Sequence, residues 1–403
     1  MAGNAARCPV GSGQSPEPER RMPVPCAIDT GWPRARAGAV LTIDLAAIRA
    51  NYRLLRARAG GAECAAVVKA DAYGLGAAQV APALEAEGAR TFFVAHIDEG
   101  IALRRHVSPG ARIIVLHGAL PQTEDECVRH DLVPVINDLD QLRRWRAQAA
   151  TLARPLPAVL QLDTGMSRFG LSERDVGAIA DDPDALRGID VRLVMSHLAC
   201  ADNPDDPASA RQRARLLHLR GALPRAPASL AASSGIFLGP DFHFDLVRPG
   251  AALYGVAPDA TRPNPLHPVV RLQARILQTR VVGPDDGVGY GLTYRPASPR
   301  RIATIAVGYA DGFMRCGAED GCAWLDGVRL PVLGRISMDS MTVDVTDAPE
   351  RLIRPGATVD LLDTRRGVDD VAQAAGTIGY EILTSLGRRY HRAYVADHAP
   401  ADL

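Results

Sequence analysis

The chain is almost without lysine. Of its 46 basic residues 45 are arginine, and the one lysine is Lys69. It also lacks a charge bias, because 46 acidic residues bring the formal net charge to zero over 403 residues. That balance argues against nucleic acid or an anionic membrane surface as a partner, since either calls for an excess of cations. The seven cysteines (Cys8, Cys26, Cys64, Cys127, Cys200, Cys316, Cys322) include no C-x-x-C pair. Their odd number and scatter suggest no zinc site and fit a reducing compartment, the cytoplasm, better than a disulfide framework. No apolar run reaches the ~18 residues of a membrane span. Residues 1–38 are rich in Pro, Gly, Arg and Ala and have no apolar stretch, which excludes a standard secretory signal. A poorly ordered extension is the expectation there.

What remains is an ordinary globular composition, 47% hydrophobic and 23% charged, with ample material for a core. Within it the lone lysine carries meaning. Arginine replaces lysine on a surface, but not where a neutral amine must attack a carbonyl, because guanidinium stays charged up to a pKa above ~12.

From residue 39 to 268 short apolar runs alternate with helical patterns. Eight strands are expected at Cys64–Lys69, Phe92–His96, Arg112–His117, Val133–Ile136, Pro157–Asp163, Val191–His197, Ala228–Ser233 and His243–Arg248. Ahead of them, Leu41–Asp44 leads into a helix with Leu45, Ile48, Tyr52 and Leu55 at helical spacing and Asp44 as N-cap. Eight strand–helix repeats predict an α/β fold, a (β/α)8 TIM-type barrel, with a doubly wound sheet as the alternative. After Pro268 the pattern changes. Val269–Val282, Arg301–Val307, Arg329–Val332, Ser340–Val345 and Thr358–Leu362 alternate apolar and polar residues between Gly and Pro, predicting a C-terminal antiparallel β domain over 269–403. A short helix is expected at Val368–Ala375.

In such barrels the chemistry lies at the C-terminal ends of the strands. Those positions read Lys69, His96, His117, Asp163, His197, Ser233 with Ser234, and Arg248. His96 and His117 are read as helix caps or loop starts. Lys69 is different: it closes the run Ala65-Ala66-Val67-Val68, so its stem packs in the wall, and partial desolvation there favours the free amine. Such an amine suggests a Schiff base, with a carbonyl substrate directly or with a cofactor. The hydroxyls and glycine of Ser233-Ser234-Gly235 and the fixed cation of Arg248-Pro249-Gly250 suit a phosphate, which favours the cofactor.

Taken together these residues resemble a known family. Val67-Val68-Lys69-Ala70-Asp71-Ala72-Tyr73-Gly74-Leu75-Gly76 is similar to the pyridoxal-phosphate motif of bacterial alanine racemases. Further matches are Leu162-Asp163-Thr164-Gly165-Met166-Ser167-Arg168, Ser196-His197-Leu198-Ala199-Cys200-Ala201-Asp202 and Val247-Arg248-Pro249-Gly250. In the β domain follow Val288-Gly289-Tyr290-Gly291, Val307-Gly308-Tyr309-Ala310-Asp311-Gly312, Gly334-Arg335-Ile336-Ser337-Met338-Asp339 and Tyr380-Glu381. The matches run in order from about residue 39 to 395.

The resemblance implies pyridoxal 5'-phosphate held by Lys69, whose amine then serves as acid or base on one face of the substrate Cα. On the other face it implies Tyr290 of the partner subunit, hence a homodimer with shared sites. Arg248 would face the pyridine nitrogen, and since arginine is no proton donor at ordinary pH this argues for a racemase over an aminotransferase. His197 would lie beside the ring and link Arg248 to Tyr290. Tyr73, Ser234 and Tyr380 would hold the phosphate with backbone amides at Gly250 and Ala251. Arg168 would contact the ring hydroxyl and substrate, and Met338 and Asp339 would position substrate from the partner. Tyr309, Arg315, Arg335 and Asp202 would line the corridor by which substrate enters. The implied reaction interconverts L- and D-alanine, supplies D-alanine for peptidoglycan and needs no metal. A serine or broad-specificity racemase of the same fold stays open.

Two positions depart from the family pattern. Many members carry a carbamylated lysine where Gln161 stands here, so Arg168 loses an anionic neighbour that a bound chloride would replace. Ser233 stands where asparagine is expected. A related pyridoxal decarboxylase of basic amino acids would need a carboxylate near the pyridine nitrogen, and a cofactor-carrying regulatory protein would lack the β domain.

Overall fold

The computed structural model describes residues 29–318 and 320–396. Seven parallel strands follow one another in chain order: Ala66–Val67, Thr91–Val94, Arg112–Val115, Leu132–Ile136, Leu156–Gln161, Ile189–Met195 and Ala228–Ser229. The eighth, Leu246–Val247, pairs in parallel with Glu63–Cys64, the front half of the first. The Arg248 N–H donates to the Ala231 carbonyl at 2.9 Å and the Val67 N–H to the Pro249 carbonyl at 2.9 Å. These bonds join the eighth strand to its two neighbours and close the ring. Each of the eight expected strands is present, and the closure that one sequence cannot show decides for the barrel.

The helix Leu45–Ala59 shows how the outer layer is specified. Asp44 accepts the Ala47 N–H at 2.8 Å as N-cap, and Ile48, Tyr52 and Leu55 form the buried face. The Tyr52 hydroxyl donates to the Cys64 carbonyl at 2.9 Å, so that buried hydroxyl is satisfied.

The second domain is also a ring. Val270–Val282, Arg300–Ile305, Met341–Asp344, Val328–Leu333, Cys322–Leu325 and Thr358–Leu362 pair antiparallel in that order, and the last returns to the first. One 13-residue strand, Val270–Val282, serves both sides because its register shifts at Leu272/Gln273 and again at Ile276/Gln278, which lets it bend.

Two boundaries differ from the sequence reading. Ala39–Asp44, expected in the barrel domain of 39–268, lies between Val270–Val282 and His391–Val395 in the sheet of the second domain. Its apolar run suits either sheet, so only pairing decides. Residues 29–38, expected to belong to a poorly ordered extension over 1–38, are tied to the second domain. Asp29–Gly31 pairs antiparallel with His391–Ala393, and Arg275 donates to the carbonyls of Arg34 and Ala37 at 2.9 Å each. Backbone pairing needs no side-chain period, so composition gave no sign of it. Residues 1–28 lie outside the described residues.

No helix among the described residues is long and apolar enough to cross a membrane, and among them no cluster of three His, Cys, Asp or Glu side chains is placed to hold a metal ion.

Candidate active site

The strand Ala66–Val67 delivers Lys69 to the C-terminal mouth of the barrel. The next four residues, Ala70, Asp71, Ala72 and Tyr73, all lie in the left-handed region, with φ between 53° and 56°. None is glycine, and such a conformation costs about 1–2 kcal/mol per residue. Neighbours hold it. Ala72 donates to the Val68 carbonyl at 2.9 Å and Gly76 to that of Asp71 at 2.8 Å, while Asp71 Oδ1 accepts the Ala77 N–H at 2.7 Å. From the second domain, Arg392 donates to the Gly74 carbonyl at 2.6 Å and the Tyr394 hydroxyl to that of Leu75 at 2.9 Å. The turn sets Lys69 and Tyr73 into the wall of one cavity of about 1600 Å³. Burial, then the charge of Arg168, lowers the pKa of the Lys69 amine, with a smaller opposing effect from Glu99.

At the Tyr73 end the wall is made of hydroxyls and close-packed backbone. Tyr73 is buried with its ring centroid 4.9 Å from that of Tyr254. A Cβ on Gly250 would collide with the Tyr73 hydroxyl, so glycine is needed there. The Ser233 hydroxyl accepts the N–H groups of Gly250 and Ala252 at 3.0 and 3.1 Å. That bond ties together two short turns, Ser234–Leu238 and Ala251–Tyr254, whose first residues face the cavity. Serine at 233 thus has a packing role that asparagine is not needed for. Tyr380 comes from the second domain to the same wall. Burial raises the pKa of Tyr73 and of Tyr380, so both stay protonated donors.

Arg248 is buried and all its partners are neutral. It donates to the Ser229 hydroxyl, to the Ser196 carbonyl at 2.6 Å and to the Leu230 carbonyl at 3.4 Å. Desolvation brings its pKa down to about 10, so it keeps its charge at neutral pH. A buried cation with no carboxylate partner among the described residues is costly, which makes this a candidate functional position. His197 faces it. Burial first, then Arg248, brings the imidazole pKa down to about 3, so the ring is neutral.

Arg168 follows the loop of Asp163. One carboxylate oxygen of Asp163 accepts the N–H groups of Gly165, Met166 and Ser167 at 2.9, 3.1 and 3.1 Å. Asp163 therefore shapes the loop that presents Arg168. The guanidinium lies 5.8 Å from the Phe169 ring and has no carboxylate partner among the described residues. Gln161 is buried in the same cavity wall. His117, read from sequence as a loop start, also lines this wall, edge-on to His96 and against Phe169.

The residues singled out from sequence separate into two groups. Lys69, Tyr73, Arg168, His197 and Asp202 line the one cavity together with Ser234, Arg248, Gly250, Ala251 and Tyr380. Tyr290, Tyr309, Arg315, Arg335, Met338 and Asp339 are absent from its walls. They are exposed on the second domain, Tyr290 by 67% and Met338 by 52%. There the strands' connections interlock: Tyr309 donates to the Ser337 carbonyl and Ala310 to that of Met338, both at 3.0 Å.

Several supporting residues escaped the sequence reading. Gln212 donates to the His197 carbonyl at 2.8 Å and accepts the Ala199 N–H at 2.9 Å, fixing the loop after Ile189–Met195. Arg389 donates to both oxygens of buried Asp311, at 2.7 and 2.9 Å, and to Asp339 at 2.6 Å. Neither has a local motif; each acts across a long stretch of chain.

Two adjacent families of domains match the chain: "Alanine racemase, N-terminal domain" over residues 43–258 and "Alanine racemase, C-terminal domain" over residues 269–394. A protein named "Alanine racemase, catabolic" from Mesorhizobium japonicum is 55% identical over 91% of this chain and 96% of its own. Another of that name from Agrobacterium fabrum is 49% identical over 88% and 92%. Among solved structures, the alanine racemase of Bartonella henselae with covalently bound pyridoxal phosphate superposes with a TM-score of 0.86 at 39% identity, covering 89% of this chain and 100% of that one. Fold, cavity and these likenesses agree, and the chain belongs to the alanine racemase family.

Proposed function

We propose that the chain interconverts L- and D-alanine on pyridoxal 5'-phosphate carried by Lys69, as a homodimer whose sites are each completed by Tyr290 of the partner subunit. The observation that carries this is the separation of the site residues into a cavity holding Lys69 and an exposed patch holding Tyr290. A patch of tyrosines, methionine and arginines left outside its own cavity is what a site shared between two copies requires.

The cavity suits the cofactor. Hydroxyl donors at Tyr73, Ser234 and Tyr380 and the tight approach at Gly250 fit a phosphate group, and covalent attachment of a cofactor to lysine has one candidate in this chain. When bound, pyridoxal phosphate supplies the delocalisation that makes the Cα proton of an amino acid removable. The protein does the rest. Lys69 Nζ, its pKa lowered by burial, holds or releases a proton on one face. The partner's Tyr290 hydroxyl does so on the other face, and exchange between opposite faces is what inverts the centre. Arg248 keeps a charge but gives up no proton at neutral pH, so it orients and does not protonate. Neutral His197 accepts from Arg248 at Nδ1, which leaves its Nε2–H for a partner in the cavity.

The relatives named catabolic support a role in alanine breakdown over supply of peptidoglycan. Loss of growth on alanine as carbon source, without a D-alanine requirement, is the expected phenotype of a deletion; a D-alanine requirement overturns that role.

Borohydride reduction of the holoenzyme followed by peptide mass analysis should place the cofactor on Lys69, and Lys69→Arg should abolish both attachment and racemisation. Attachment elsewhere, or racemisation by Lys69→Arg, contradicts the reading. Chiral separation across alanine, serine, lysine and arginine then fixes the substrate range.

A further inference from the structure

The left-handed turn between Lys69 and Tyr73 is anchored at its start by a group outside the motif. Glu99 is the third residue of the helix Ile97–Arg104. Its Oε2 accepts the N–H groups of Ala95 and His96 at 2.6 and 3.2 Å, which caps that helix. Its Oε1 reaches across to the neighbouring strand end and accepts the Ala70 N–H at 2.7 Å. Ala70 is the first of the four residues at positive φ and directly follows Lys69.

We infer that Glu99 is a positioning residue for Lys69: its carboxylate joins the ends of the first two barrel strands and clamps the left-handed turn that sets the lysine amine and the Tyr73 hydroxyl in one wall. The chemistry of the group fits the task. A carboxylate accepts at both oxygens and so satisfies N–H donors from two segments at once. A carboxamide of the same shape must turn its NH2 towards one donor set and loses that contact. The turn needs such an anchor, because it holds four L-residues in a conformation they otherwise leave. Glu99 is also the carboxylate that opposes burial, Arg168 and Arg248 in setting the charge of the Lys69 amine. It touches neither substrate nor the reacting atoms.

The inference rests on Lys69 as the cofactor-bearing residue. The single lysine makes its test direct, since an amine reagent has one side chain to find. The full chain stripped of cofactor, as parent and as Glu99→Gln, is labelled across pH, and the rate on the residue-69 peptide is read by mass analysis. Removal of the negative charge should move the Lys69 midpoint to lower pH. In the holoenzyme the same variant should release cofactor about tenfold faster or more and lose kcat with little change in KM. Glu99→Asp should restore part of the cofactor retention, and the circular dichroism of all three proteins should agree. Parental midpoint and parental cofactor retention in Glu99→Gln overturn the inference. So does a variant that only melts earlier, because a helix cap alone predicts that. Cofactor found on a residue other than Lys69 in the parent sinks the underlying reading, and the labelling midpoint remains a separate result.

Discussion

Arg248 Nη2 stands 3.4 Å from His197 Nδ1, the guanidinium buried and the imidazole half-buried in the cavity wall, with no carboxylate among the described residues between them. Burial, and after it the charged guanidinium, keeps the imidazole neutral, and this has a consequence for acid stability. The folded imidazole titrates near 3 against a usual 6.5. Between those values the unfolded chain binds a proton that the folded chain refuses, so stability falls as pH drops through that window. Urea unfolding from pH 6.5 downward should show this slope in the parent, and His197→Gln should flatten it. An equal slope in both proteins counts against the neutral ring.

Replacing Arg248 tests the neutral cage around it. Arg248→Met leaves the Ser229 hydroxyl and the Ser196 carbonyl without their donor in the interior. The lost bonds cost about 1–3 kcal/mol each, offset in part by removal of a buried charge. Net stability should change little while racemisation collapses, which separates this residue from a purely structural one. Denaturation midpoints beside kcat give the comparison.

Gly250→Ala should act on cofactor binding through Tyr73. The added methyl meets the Tyr73 hydroxyl and comes to 3.3 Å from the Val67 Cβ. Overpacking of this kind costs about 1–3 kcal/mol. Cofactor affinity, measured by absorbance titration of the stripped protein, should weaken. Unchanged affinity means that the Tyr73 hydroxyl does not depend on that close approach.

Arg389 holds the loop of Asp339 to the rest of the second domain. Arg389→Met unpairs buried Asp311 and should cost about 1–3 kcal/mol by urea unfolding. If Asp339 of one copy serves its partner's substrate, KM for alanine should rise more than kcat falls. A loss confined to stability would limit Arg389 to the fold.

Tyr290→Ala should slow proton exchange from one enantiomer of alanine more than from the other. Solvent deuterium incorporation into each enantiomer measures it, and equal losses argue against two bases on opposite faces.

How far these features could be read in advance depended on how local they are. Apolar runs ending in Lys69, Asp163, His197 and Arg248 announced the barrel strands and their polar ends, because a parallel strand buried on both faces needs no partner information to be recognised. The placement of Ala39–Asp44 in the second domain was not legible, since its six residues carry no mark of the strand they pair with. The left-handed run at Ala70–Tyr73 was hidden for a different reason. It contains no Gly or Asn, and the local bonds that hold it are joined by others from Glu99, Arg392 and Tyr394, which lie far off in sequence. Closure of the barrel, through Arg248 and Ala231, rests on backbone bonds that no side-chain pattern records.

In the proposed dimer each site takes Lys69 from one copy and Tyr290 from the other, and mixing two inactive proteins puts this to the test. Lys69→Ala and Tyr290→Ala are unfolded together in equal amounts and refolded with cofactor. In a hybrid dimer one site then has neither residue and the other has both, so activity should return to about a quarter of the parental value under random pairing. Recovery to that level supports the shared site. A mixture as inactive as its two components, with hybrid dimers shown to be present, would contradict it.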